Sequence, residues 1–114
     1  MSKLARLIAK REGFGIPGAI PTVRHNPGDL THSPHSSHEG ISPDGIGIID
    51  TDADGWDDLE RQLQIFADHH MTLRAAIYVY APPAANNTEL YLNFICDGLG
   101  CTPDTLVSEA LKIA

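Results

Sequence analysis

The sequence predicts a mainly helical α+β domain, with about five helices and a small β segment after the first. Three observations carry this expectation. Apolar residues recur at steps of three and four in several separate stretches. Most of those stretches are opened by a capping residue and closed by glycine or proline. Between Gly13 and Asp44 the helical period disappears, and Pro17, Pro21, Pro27, Pro34 and Pro43 appear among several glycines. At 114 residues and 12.3 kDa the chain is expected to form one domain, residues 1–114, with a single core and no separate binding module.

Taken in order, Ser2 is placed to cap a first helix whose apolar positions Leu4, Leu7 and Ile8 lead to Glu12 and stop at Gly13. Brief extended pieces are expected at Ala19–Val23 and at Gly45–Asp50, where Ile46, Ile48 and Ile49 are β-branched. Thr51 then caps the central helix, with Asp52 and Asp54 in its first turn and a stripe of Trp56, Leu59, Leu63, Phe66 and Ala67. His69 and His70 fall in its last turn. Thr72 opens a further helix with Leu73, Ala76, Ile77 and Tyr80 on one face, ended by Pro82-Pro83. Asn86 and Glu89 are spaced as a capping box for a helix buried through Leu90, Tyr91, Phe94 and Ile95, with Gly98 and Gly100 as the stop. Thr102-Pro103 is expected to start the last helix, with Leu106, Val107, Ala110 and Leu111.

Charge narrows the function. Fifteen acids against eight Lys and Arg leave a formal charge of −7, which disfavours a grip on nucleic acid or on anionic lipid. No apolar run approaches the roughly 18–20 residues of a membrane span, so no membrane insertion is expected, and the N-terminal residues mix charge into their apolar positions, unlike a signal peptide. Cys96 and Cys101 are spaced to close a small loop but are expected as two reduced, partly buried thiols. His32, His35 and His38, with Glu39 and His25 nearby, have the residue types of a zinc site, but they lie in a turn-rich stretch with no recognisable ligand spacing. A solvated or pH-responsive loop is the simpler reading, and no metal or cofactor is assigned.

Glu12 is the residue that points to catalysis. It continues the four-residue step of Leu4 and Ile8, so its carboxyl falls on the face that those residues bury. Burial disfavours the carboxylate and keeps a proton available, as a general acid requires. The plain alternative is a solvated helix-end acid beside Arg11.

The run Ile8-Ala9-Lys10-Arg11-Glu12-Gly13-Phe14, then Pro17-Gly18 and Arg24-His25-Asn26-Pro27-Gly28-Asp29-Leu30, resembles small bacterial and phage proteins of the lysozyme-like superfamily, near the lytic transglycosylases. Asp50-Thr51, Gly55-Trp56, Leu59-Glu60, Tyr80-Ala81-Pro82-Pro83, Asn87-Thr88 and Tyr91 are similar to the same family. The resemblance implies a lysozyme-like fold and cleavage of peptidoglycan glycan strands, as a muramidase or a lytic transglycosylase, with Glu12 as general acid and then base. It implies His25, Asn26, Asp29, Tyr80 and Asn87 as substrate-binding positions. A hydrolase of this kind would want a second carboxylate, for which Asp29, Glu39, Asp50 and Asp52 are the candidates.

His25 and Asp29 stand where the family pattern has asparagines, and an ionised Asp accepts hydrogen bonds where Asn both donates and accepts. Asn26-Pro27-Gly28 is also an ordinary turn sequence, and Tyr80 and Trp56 also fit plain core roles. Two further functions therefore stand beside the first. One is a non-catalytic binding or structural component, such as part of a phage particle. The other is a zinc-dependent hydrolase built on His32, His35 and His38. A wall-directed activity without an evident export signal would need delivery in a particle or by another route.

Overall fold

Ser2 caps the first helix as its position predicts, its hydroxyl accepting from the Ala5 amide at 3.1 Å, and α1 runs Lys3–Glu12. The computed structural model describes residues 1–31, 33–36 and 44–114. Its helices continue with α2 (Ile20–Val23), α3 (Asp52–Asp68), α4 (Leu73–Tyr80), α5 (Thr88–Leu99) and α6 (Val107–Ala110). Thr51 accepts from Asp54 at 3.2 Å at the start of α3, and Thr72 accepts from Ala75 at 3.1 Å at the start of α4. Each hydroxyl satisfies an amide that has no partner inside its own helix.

α1 lies against α5 and α3, α4 against α5 and α6, and α3 against α6. Leu4 and Ile8 from α1, Leu59 and Leu63 from α3, Leu73 and Ile77 from α4, and Leu92 and Ile95 from α5 meet in one buried cluster. Burying each such side chain is worth about 1.5–3 kcal/mol, so this cluster rather than helix propensity holds the short helices. The Cα radius of gyration is 13.3 Å, and about 13 Å is expected of one compact unit of this length. Among the described residues no helix is long and apolar enough to cross a membrane.

Several expectations are corrected. Ala19–Val23 is not extended: Val23 and Arg24 donate to the Ala19 and Ile20 carbonyls, closing one helical turn. Pro21 sits in its first turn, where a missing N–H leaves no helical bond unmade. The small β segment is not seen among the described residues, which hold only the isolated bridges Ser36–Ile49 and Thr72–Leu106. The reason lies in the partners of segment 44–50. Gly47 donates to Leu30, Ile48 to the Ser36 hydroxyl and Ile49 to Arg24, so successive amides reach different places and no ladder propagates.

Asn87, not Asn86, caps α5, accepting from Leu90 at 3.2 Å. Glu89 is drawn outward to Arg74 and Tyr78 and does not complete a capping box. Leu90 is 58% exposed, and the buried face of α5 is instead Thr88, Tyr91, Leu92, Ile95, Cys96 and Leu99. α5 also runs through Gly98, which packs on Leu7, and ends at Gly100 in the left-handed conformation. The last helix is a single turn that starts at Val107. The first two amides of α4, Leu73 and Arg74, take the carbonyls of Thr105 and Pro103, so those carbonyls are not free to build an earlier turn. Cys96 and Cys101 are free thiols, in accord with the expectation.

Candidate functional site

Glu12 is the last residue of α1 because Gly13 follows it with φ 94°, a conformation that side chains resist. A Cβ at Gly13 would meet nothing closer than 3.9 Å, so the glycine is required for its backbone angle and not for space. The amides of Gly13 and Phe14 close the helix end, leaving the Glu12 side chain projected toward α5. There the Tyr91 hydroxyl donates to Glu12 Oε2 at 2.6 Å, and the Arg11 guanidinium lies 5.2 Å from the Tyr91 ring centre. Burial pushes the Glu12 carboxyl above its ordinary value of 4.5, and the Asp29 charge adds to this, while the Tyr91 bond and Arg11 oppose it. Burial also pushes the Tyr91 phenol far up, so it stays a proton donor to Glu12.

Glu12 lines a cleft of about 340 Å³, together with Asp29, Gln62, Phe66, Tyr80 and Asn86. Phe66, Tyr80 and Tyr91 form an edge-to-face row with ring centres 6.5 Å apart at each step. No lysine, arginine or histidine is among the described residues that line the cleft. The cleft therefore disfavours phosphates and other anions, and suits a neutral or cationic ligand carrying hydrogen-bond donors.

The 25–30 loop that forms one wall is held from three sides. The Asn26 amide is fully buried and donates to the carbonyls of Leu30 at 3.0 Å and Gly47 at 3.1 Å, while its oxygen accepts from the Leu30 amide at 3.0 Å. Tyr80 donates its hydroxyl to the Gly28 carbonyl. Gly28 is needed for room, since a Cβ would lie 2.7 Å from the Tyr80 oxygen and 2.9 Å from Leu59. Gly55 of α3 is tighter still, with a Cβ falling 2.0 Å from the His25 carbonyl oxygen. Asp29 follows with φ 53°, and its Oδ1 is buried without a hydrogen-bond partner. Burial raises the Asp29 carboxyl above 3.8, as does Asp44, against the pull of Arg24.

The sequence-predicted positions divide. Glu12, Asp29 and Tyr80 meet in the cleft. Asn26 does not offer its amide to a ligand, because all of it is committed to backbone groups of the same loop. His25 points to Asp52 instead, Nδ1 to Oδ1 at 2.7 Å, and neither lines the cleft. Asn87 is spent on the α5 cap, and its neighbour Asn86 lines the cleft in its place. Asp50 is exposed and outside the cleft. Glu39, His32 and His38 lie outside the described residues.

His35 is part of a different arrangement. Asp58 of α3 is only 2% exposed and accepts from the Ser33 hydroxyl, from the His35 amide at 3.0 Å, and faces His35 Nδ1 at 2.6 Å. The Asp58 bond raises the His35 imidazole above 6.5 and favours its cation. Among the described residues no group of three His, Cys, Asp or Glu side chains is placed to hold a metal ion. Gln62 and Asp58 were not singled out by sequence, and Asn86 was expected only as a helix cap. All three sit among polar neighbours, and only the fold shows which polar residue faces inward.

Helices packed around an aromatic row, with a half-buried acid at the edge of a cleft, define a mainly helical domain with a glutamate-centred candidate site. Compared with known protein families, curated proteins and solved structures, the chain matches none.

Proposed function

We propose that this cleft takes peptidoglycan glycan strands and cleaves them, with Glu12 as general acid and then base. The carrying observation is the setting of Glu12, half-buried at the end of α1 with one oxygen fixed by a phenol that stays protonated. A carboxyl raised above its ordinary value holds its proton to higher pH, which suits the donation of that proton to a glycosidic oxygen, and a general acid contributes about 10²–10⁴-fold to rate. The cation-free lining fits a neutral sugar chain bearing hydroxyl and amide donors.

The test uses purified sacculi, the unsubstituted protein and Glu12→Gln, with soluble products separated by mass. Release by the unsubstituted protein and its loss by about 10² or more in Glu12→Gln supports the reading. Products lighter by one water than reducing ends identify a transglycosylase, and reducing ends identify a hydrolase. No release under conditions where a control lysozyme acts removes the catalytic reading.

One observation favours a second reading, a non-catalytic binding or structural component. Asn26, the remaining asparagine of the resemblance pattern, has its amide committed to the loop and presents nothing to a sugar. Sedimentation of the protein with sacculi, without product release, is the outcome expected of that reading.

A further inference from the structure

We infer that Asp29 is the positioning partner of Glu12: its carboxylate, carried on the loop after α2 and lining the same cleft, keeps the acid in its proton-bearing form. The inference deepens the proposed glycan cleavage and rests on it for its functional meaning, but the pairing itself is a property of the cleft and is tested separately.

Four structural observations converge on Asp29. It is the one aspartate among the described residues that shares the cleft with Glu12; Asp50 is exposed elsewhere and Asp52 is engaged with His25. Its Oδ1 is buried without a hydrogen-bond partner, so no local donor quenches the charge on that atom. Its position is rigid, because the Asn26 clip, the Tyr80 hydroxyl on Gly28 and the close approach of Gly55 fix the loop on both sides. Its backbone adopts a left-handed conformation, φ 53°, which Asp and Asn tolerate better than most residues.

The charged and titratable groups around the pair are few. Glu12 faces Tyr91 from α5, Arg11 on its own helix and Tyr80 from α4. Asp29 faces Tyr80, and beyond it Arg24 and Asp44, which pair with each other at 2.7 Å and so act on it with opposite signs. The element that contributes from α3 is the neutral Gln62. Both phenols stay protonated because burial raises them. The Glu12–Asp29 pair therefore has one internal interaction of like sign, the repulsion that arises when both carboxyls are ionised. Such a pair sheds its protons in two steps, and the first loss makes the second harder. Asp29 is the member that ionises first: it starts from 3.8 against 4.5, and its charge raises Glu12 whereas Glu12 is not among the groups that raise it. The Asp29 charge then raises Glu12, which holds its proton to higher pH than it would beside a neutral residue.

The test is carboxyl-carbon NMR titration of the full chain, of Asp29→Asn and of Glu12→Gln. Asp29→Asn is expected to lower the Glu12 midpoint by about half a pH unit or more, about a threefold weakening of proton binding. Glu12→Gln is expected to leave the Asp29 midpoint within about 0.2 pH units, because Asp29 titrates while Glu12 is still protonated and uncharged, so the coupling appears in the second step alone. If the cleft cleaves glycan, the alkaline limb of kcat/KM moves down in Asp29→Asn by the Glu12 shift. A role of Asp29 confined to shaping the loop would not move the Glu12 midpoint. A Glu12 midpoint within about 0.2 pH units of the unsubstituted protein's, in a folded Asp29→Asn, overturns the inference. Should Asp29→Asn not fold, Asp29→Gly, which tolerates the same left-handed backbone angle, reads the same coupling, and an unmoved Glu12 midpoint there overturns it equally. A lowered Glu12 midpoint in Asp29→Asn without any glycan cleavage by the unsubstituted protein keeps the pair and removes the glycosidase reading.

Discussion

Glu12 continues the face on which Leu4 and Ile8 are fully buried, and its carboxyl is correspondingly held above its ordinary value. An acid whose folded midpoint is raised favours the folded state at low pH. That contribution is complete below about pH 4.5, its ordinary value, and is lost as pH rises through the folded midpoint. Glu12→Gln is therefore expected to raise Tm at pH 7 by a few degrees, and the gain should shrink as the pH falls through the folded midpoint and vanish below about 4.5. Thermal unfolding of both proteins across pH checks this; a Tm difference independent of pH contradicts it. Tyr91→Phe acts in the opposite sense to Asp29→Asn. It deletes the donor that favours the Glu12 carboxylate and should raise the Glu12 midpoint by about one pH unit, readable in the same carboxyl titration.

Between elements, the contact of α3 with the loops decides whether the cleft exists. Gly55 lets the start of α3 touch the backbone at His25, and a methyl there meets a carbonyl oxygen that cannot swing away as a side chain end can. Gly55→Ala should cost about 3 kcal/mol and lower Tm by more than about 10 °C, measured by calorimetry. One turn further along α3, Asp58 ties Ser33 and His35 to the helix. The His35 imidazole is raised by that tie, so its stabilising effect is complete below about pH 6.5 and is lost as pH rises through the higher folded midpoint. His35→Gln should flatten the fall in stability of the unsubstituted protein above pH 6.5. Unfolding curves at pH 6 and pH 9 that differ as much in the variant as in the unsubstituted protein would exclude this origin.

For the whole molecule, the formal charge of −7 opposes approach to an anionic cell-wall polymer. Screening shortens the reach of that repulsion from about 30 Å at 0.01 M ionic strength to about 8 Å at 0.15 M. If the protein acts on sacculi, its initial rate should rise with salt over this range, opposite to the behaviour of a basic wall enzyme. A rate that falls steeply with added salt would point to a local cationic docking surface.

Local chemistry made much of this architecture readable from the residues themselves. Ser2, Thr51 and Thr72 cap the helices they were expected to cap, and of the expected stripe on α3 Leu59, Leu63, Phe66 and Ala67 are buried while Trp56 is half-buried at its edge. Gly13 had only one economical role beside an acid at a helix end, and it fills it. These features depend on neighbours within a turn or two of chain, so residue types and spacing suffice to find them. What depended on distant partners could not be read in that way. The turn at Ile20–Val23, the absence of a ladder at 44–50 and the late start of α6 each follow from which remote carbonyls and amides are already taken. In the cleft, Glu12 and Asp29 were visible as carboxyls, but their shared lining, the commitment of the Asn26 amide and the exchange of Asn87 for Asn86 arise only when the loop closes on α3 and α4. Sequence alone determined α1, α3 and α4 with their caps, and the placement of an acid at the end of α1. Tertiary structure decided which polar groups face one another and which are spent on the backbone, because burial and through-space charge are properties of packed surfaces and not of the local chain.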